Sequence, residues 1–143
     1  MGLNGNGQLG IGNTTQKTSP VQVVASGVAQ VAGGYYHSLF LKSDGSLHAM
    51  GYNYQGQLGD GTTTQRNSPV QVVASGVAQV AAGNIHSLFL KSDGSLHVMG
   101  YNDHGQLGDG STTQRHSPVK TADLISTVEQ PYVAETAADV TDD

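Results

Sequence analysis

The 143-residue sequence predicts an all-β fold: β-propeller blades of four antiparallel strands, with two complete repeat copies plus a partial third. Three observations lead there. Gly2–Met50 is rewritten as Gly51–Met99 with 38 identities in 49 positions, and a third copy opens at Gly100 and runs to Val119. A period of this size marks a repeat architecture, in which one unit cannot bury its apolar face alone and stacks on its neighbours. Each copy carries four short apolar runs punctuated by turn residues, with no helical periodicity. Glycine supplies 20 residues and proline only 4, the balance of a turn-rich fold rather than a linker. A β-solenoid or sandwich of the same hairpins is the competing architecture, but solenoid repeats are usually shorter.

In the central copy, Val77–Ala81 reads as a short, mostly buried first strand between Ser75-Gly76 and Gly83. His86–Lys91 follows as the second, with His86, Leu88 and Leu90 on one face and Ser87, Phe89 and Lys91 on the other. Apolar residues on both faces predict cover on both. Asp93-Gly94 predicts a two-residue hairpin turn with positive φ, and Ser95–Met99 is the third strand. A glycine-punctuated connection, Tyr101 to Ser117, leads to a fourth strand opening at Pro118-Val119. One copy earlier that strand is the fuller Pro69–Val73, where a leading proline suits an edge position. Its counterpart in the first copy, Pro20–Val24, has no preceding three strands, so it is expected to pair with another copy, in a longer chain or in a second molecule. Two blades per chain would close a ring as three chains or four.

The repeat array therefore occupies residues 1–119 (copies 2–50 and 51–99, partial copy 100–119), and 120–143 reads as an acidic C-terminal tail. That tail sets one lysine against Asp123, Glu129, Glu135, Asp139, Asp142 and Asp143, the whole of the net charge of −5. Leu124–Val128 is a faint strand signal, Pro131–Val140 a short helical one, and the segment is expected to be loosely held. The neutral repeats lack a basic stripe, which argues against nucleic-acid binding. No apolar run approaches the roughly 18 residues of a membrane span, and no signal-peptide pattern is present. Because Met1 runs straight into a connection from inside a repeat, the native start is expected elsewhere, or the chain is a fragment. The absence of cysteine excludes disulfides, thiolate zinc sites and cysteine nucleophiles, and leaves the compartment open.

Four linked motifs at fixed spacing, Gly51-Tyr52-Asn53-Tyr54-Gln55-Gly56-Gln57-Leu58-Gly59-Asp60-Gly61, Ser68-Pro69-Val70, Val80–Leu88 and Lys91-Ser92-Asp93-Gly94, closely resemble the regulator of chromosome condensation repeat. The resemblance covers Gly2 to Val119. It implies a propeller, commonly of seven blades, that binds proteins at its faces. Members of that family include an exchange factor for a small GTPase, a bacterial β-lactamase inhibitor and a plant ultraviolet photoreceptor. The photoreceptor depends on tryptophans, and this chain has none. Where the family usually has tryptophan before the glycine of Gly51-Tyr52-Asn53, Met50 and Met99 stand here, filling an apolar site with less rigidity.

Several patterns look like chemistry. Gly5-Asn6-Gly7-Gln8-Leu9-Gly10 matches a dinucleotide-binding pattern, but its first glycine becomes Tyr54 and Asp103 in the other copies and no helix is predicted after it. His37 and His86, each followed by serine, suggest a nucleophilic pair; adjacent strand residues point to opposite faces, so a structural histidine bonding the neighbouring backbone is the expectation. His48 and His97 would bind a metal only if they converged, and Asp60-Gly61 and Asp109-Gly110 lack the alternating ligands of a calcium loop. Asn13-Thr14-Thr15 is a formal glycosylation sequon, found in one copy only. No catalytic residue, cofactor or metal site is assigned.

The 11 differences between the copies carry more information. All but Ala49/Val98 fall in the connection and in the turn between first and second strands, which emerge at the same end of an up-and-down blade. The turns at the other end are identical. Tyr35, Tyr36, Tyr54, Gln55, Asn84, Ile85, Asp103 and His104 are therefore the candidate partner-binding rim, on loops that tyrosine enriches as at other interfaces. Tolerant loops that simply drift would give the same distribution. The function expected is a non-enzymatic protein-binding scaffold, part of a larger propeller or self-assembling with further copies. A guanine-nucleotide exchange factor for a small GTPase and a purely structural self-assembling array are the alternatives.

Overall fold

A computed structural model of the chain describes residues 1–123. The strand signal at Leu124–Val128 and the helical one at Pro131–Val140 lie outside the described residues. Eight strands form: β1 (Val28–Gly33), β2 (His37–Lys42), β3 (Leu47–Gly51), β4 (Arg66–Val73), β5 (Val77–Ala82), β6 (His86–Lys91), β7 (Ser95–Gly100) and β8 (Arg115–Asp123). They make two antiparallel sheets of the expected blade type, ordered β1-β2-β3-β4 and β5-β6-β7-β8. β8 continues through Lys120 to Asp123, past the last residue of the third copy.

Two expectations are corrected. The hairpin turns are not two-residue loops with positive φ throughout. Gly45 N donates to Lys42 O and Lys42 N to Ser46 O, and only the glycine has positive φ (84°), so the loop is Ser43-Asp44-Gly45. Asp44 holds it by accepting both the amide and the hydroxyl of Ser46, which spares the aspartate itself the left-handed conformation. The fourth strand starts three residues before its proline, at Arg66 and Arg115, because Gly51 and Gly100 pair with those arginines. The prolines fall in an irregular stretch of the edge strand, where no ladder donor is required. Pro20–Val24 forms no strand within the chain: among the described residues no third strand lies beside it, and Val21 and Val23 are exposed.

The core lies between the sheets. Leu39, Leu41, Leu47 and Ala49 of the first blade meet Val77, Phe89 and Met99 of the second, with Leu58 of the connection filling the gap. At the inner edge Gln30 Nε2 donates to Ala78 O (3.3 Å) and Gln30 Oε1 accepts from Val80 N (3.4 Å). Both faces of β2 are covered, whereas on β6 Leu88 and Leu90 are only half-buried, since no following blade lies on that side among the described residues. The repeated sequence thus acquires unequal burial from position alone.

Candidate functional site

The connections from β3 to β4 and from β7 to β8 are built on a fully buried asparagine. Asn53 Nδ2 donates to the carbonyls of Thr62 and Thr64 (both 3.1 Å) while its Oδ1 accepts from Leu58 N (3.0 Å). Asn102 repeats this with Ser111, Thr113 and Leu107, and Asn4 does so with Asn13, Thr15 and Leu9. One amide therefore satisfies three backbone groups that the loop cannot pair by itself. Asp60 adds a second layer, accepting from Thr62 N and Thr62 Oγ1 with one oxygen and from Arg66 Nε (2.9 Å) with the other. Burial opposes ionisation of Asp60, but Thr62, Arg66 and Asn53 together hold its pKa below the usual carboxylate value. At Asp109 the Ser111 hydroxyl and then Arg115 do the same, more strongly. These aspartates are turn anchors with their oxygens occupied, and in the first copy Ile11 and Lys17 replace both members of the pair.

His37 is buried and reaches across to the next blade: its Nε2 lies 2.9 Å from Ser87 Oγ. The Ser87 proton is already directed to Gln57 O at 2.6 Å, so the ring nitrogen is the donor and the hydroxyl is not activated for attack. This corrects the expected backbone bond: the histidine links blade to blade through a side chain. Burial lowers the His37 pKa from 6.5 to about 4, with the His86 backbone pulling weakly the other way. His48 and His97 do not converge; each stacks on its cross-strand phenylalanine, Phe40 at 4.9 Å and Phe89 at 5.0 Å, and bonds Ser46 or Ser95. Among the described residues no three potential metal ligands come together, and no helix is long and apolar enough to cross a membrane.

The variable positions do come together. Tyr52 N bonds Tyr36 O (2.9 Å), Tyr101 N bonds Ile85 O (3.0 Å), and Tyr35 N bonds Asn84 O (3.1 Å), which ties the turns of both blades and the connections into one rim. Tyr35, Tyr36, Gln55, Asn84 and Ile85 line a single cavity of about 440 Å³. Tyr54 stands at its end with its ring 4.8 Å from that of Tyr52. Asp103 and His104 do not join it; they sit on Tyr101, where a hydrogen bond to Asp103 raises the tyrosine pKa. A hydrogen bond donated by Tyr36 to Tyr35 likewise raises that of Tyr36. Tyr52, Asn6 and Gln57 also line the cavity and were not among the expected residues. Tyr52 was findable, since it replaces Leu3 of the first copy within the variable connection. Gln57 and its counterpart Gln8 are invariant between the copies, so variation gave no sign of them.

The model of the regulator of chromosome condensation (RCC1) repeat matches residues 1–41, 44–90 and 93–133. This chain belongs to the RCC1-repeat family. A second RCC1-repeat model matches 28–57 and 77–106. Human WBSCR16 is similar at 28% identity and a TM-score of 0.69, over 83% of this chain and 33% of its own. Prp20p of Saccharomyces cerevisiae, described with its binding to Gsp1p and histones, is similar at 23% identity and a TM-score of 0.71, over 87% of this chain and 34% of its own. Yeast RCC1 (Prp20) bound to Kap60 gives 22% identity and 0.69, over 87% and 33%. The sheets are blades of an RCC1-type propeller, and the chain spans about a third of the length of these relatives.

Proposed function

We propose that this RCC1-repeat segment is a non-enzymatic protein-binding scaffold whose partner docks on the rim formed by the β1–β2 and β5–β6 turns and the β3–β4 connection. The observation that carries this is the convergence of Tyr35, Tyr36, Gln55, Asn84 and Ile85, five residues from three repeat positions at which the copies differ, around one cavity while the opposite turns stay identical. Protein binding by the related Prp20p, described with Gsp1p, histones and Kap60, supports the class of function. The test is a random-peptide display library panned against the chain, with enriched peptides measured against Tyr35→Ala, Tyr36→Ala and Tyr54→Ala. A loss of about tenfold or more is expected from at least one of them. Unchanged affinity in all three counts against the rim. Release of a fluorescent nucleotide from a small GTPase separates an exchange factor from a plain binder.

A second reading, head-to-tail assembly of further copies into a ring, is favoured by the blade joint. His86 is the counterpart of His37 and Ser38 the counterpart of Ser87, so the two outer faces carry the two halves of the same joint. Closure has a cost, because Gly10 packs on Met50 as Gly59 packs on Met99, and a docking copy would bring its own connection to that place. A discrete trimer or tetramer by mass in solution supports the ring, and a monomer at all concentrations refutes it.

A further inference from the structure

We infer that the tyrosine cavity takes a proline-rich segment of the partner in the polyproline II conformation, an inference that rests on the rim being the docking surface. The lining of the cavity carries no charged side chain. A phosphorylated or acidic segment would find no arginine to pair with and would lose hydration without return, while a cationic one would find ring faces but no carboxylate. Strand addition needs a free sheet edge, whereas this cavity is built from turns and a connection. An amphipathic helix, about 10 Å across, needs a continuous apolar groove. Here the polar contributions are four side-chain amides, Asn6, Gln55, Gln57 and Asn84.

What remains is a neutral segment with ring-shaped apolar groups and unpaired carbonyls. Tyr35, Tyr36, Tyr52 and Tyr54 form a row whose successive ring centroids stand 4.3, 6.2 and 4.8 Å apart. Neighbouring rings are in contact, so the row is a continuous aromatic wall, and the prolines of a helix rising about 3.1 Å per residue can lie along it rather than between its rings. That helix makes no internal hydrogen bonds, and phenol and amide donors can reach its carbonyls. It also arrives preformed, so little order is lost on docking.

The experiment is fluorescence anisotropy at physiological salt with three labelled decamers: all-proline, alternating glycine and serine, and lysine-rich without proline. Saturable binding of the proline decamer alone is expected, weakened about tenfold or more by Tyr36→Ala or Tyr52→Ala in variants that keep the circular dichroism of the parent. Thr63→Ala, on the exposed part of the connection, should leave it within about twofold. A proline decamer that binds no better than the glycine-serine control, or a lysine decamer that binds more tightly, overturns the inference. The two readings fail separately. Library-selected peptides that lose affinity to the tyrosine variants but are not enriched in proline keep the rim and sink the proline chemistry; peptides indifferent to those variants sink both.

Discussion

Acidification from pH 7 to pH 4 should loosen the joint between the blades, and His37 sets the size of the effect. In the fold its pKa is lowered from 6.5 to about 4. Its Nδ1 is buried and unpartnered in the neutral ring, and the His86 backbone offsets only part of the cost of a second proton there. The unfolded chain takes up that proton near pH 6.5 and the folded chain only near 4, so between these values the unfolded state binds more protons. Stability from this group is complete above pH 6.5 and is lost progressively as pH falls to 4. A shift of ~2.5 units corresponds to about 3 kcal/mol, a sizeable share of the roughly 5–15 kcal/mol that stabilises a domain. The assay is the urea midpoint at half-unit steps of pH for the parent and for His37→Gln, whose amide can still donate to Ser87. His48 and His97 are lowered too, chiefly by burial, but they are common to both proteins and cancel in the difference; His86, also lowered by burial, interacts with His37, so the difference reports the pair. Lowered carboxylates such as Asp44 act below their ordinary 3.8, outside the window. Equal slopes for the two proteins between pH 4.5 and 6.5 would refute the reasoning.

Five substitutions probe the rest of the architecture by chemical denaturation. A Cβ on Gly34 would lie 2.0 Å from Cε1 of the immobile His37 ring, so Gly34→Ala should cost about 1–3 kcal/mol; Gly83→Ala, against the half-buried His86, should cost less. Asn53→Ala strands Leu58 N and the carbonyls of Thr62 and Thr64, with an expected loss of about 3 kcal/mol. Phe89→Ala opens the joint between the blades and should cost about 3–5 kcal/mol, while Leu88→Ala, on the uncovered face, should cost clearly less, and equal losses would contradict the packing described.

Much of the blade was legible because strand and turn residues obey local rules. Val77, His86 and Ser95 begin strands where alternation and turn residues place them. The hairpin loop was misread because Asp-Gly serves two turn types, and the choice rests on Ser46 bonding Asp44, a side-chain contact that pattern alone does not rank. Pro20–Val24 forms no strand within the chain for a non-local reason: its sequence matches Pro69–Val73, but among the described residues no third strand lies beside it. The rim was visible as variation, which located Tyr35, Tyr36 and Asn84. Asp103 and His104 share that variation and yet stand apart, since belonging to the same loop in a different copy moves a residue one blade along. The asparagine anchors and the His37–Ser87 bond escaped notice because invariant polar residues in a repeat look alike whether buried or exposed.

The bond from His37 to Ser87 spans one repeat length plus one residue. A histidine in any unit therefore finds its serine in the unit that follows, whichever unit that is. Unequal recombination that inserts or removes a whole 49-residue cassette restores every such link automatically, with no second mutation needed elsewhere. Lengthening or shortening the gene in whole units is thus chemically silent at each seam, while a change of any other length breaks the correspondence at once.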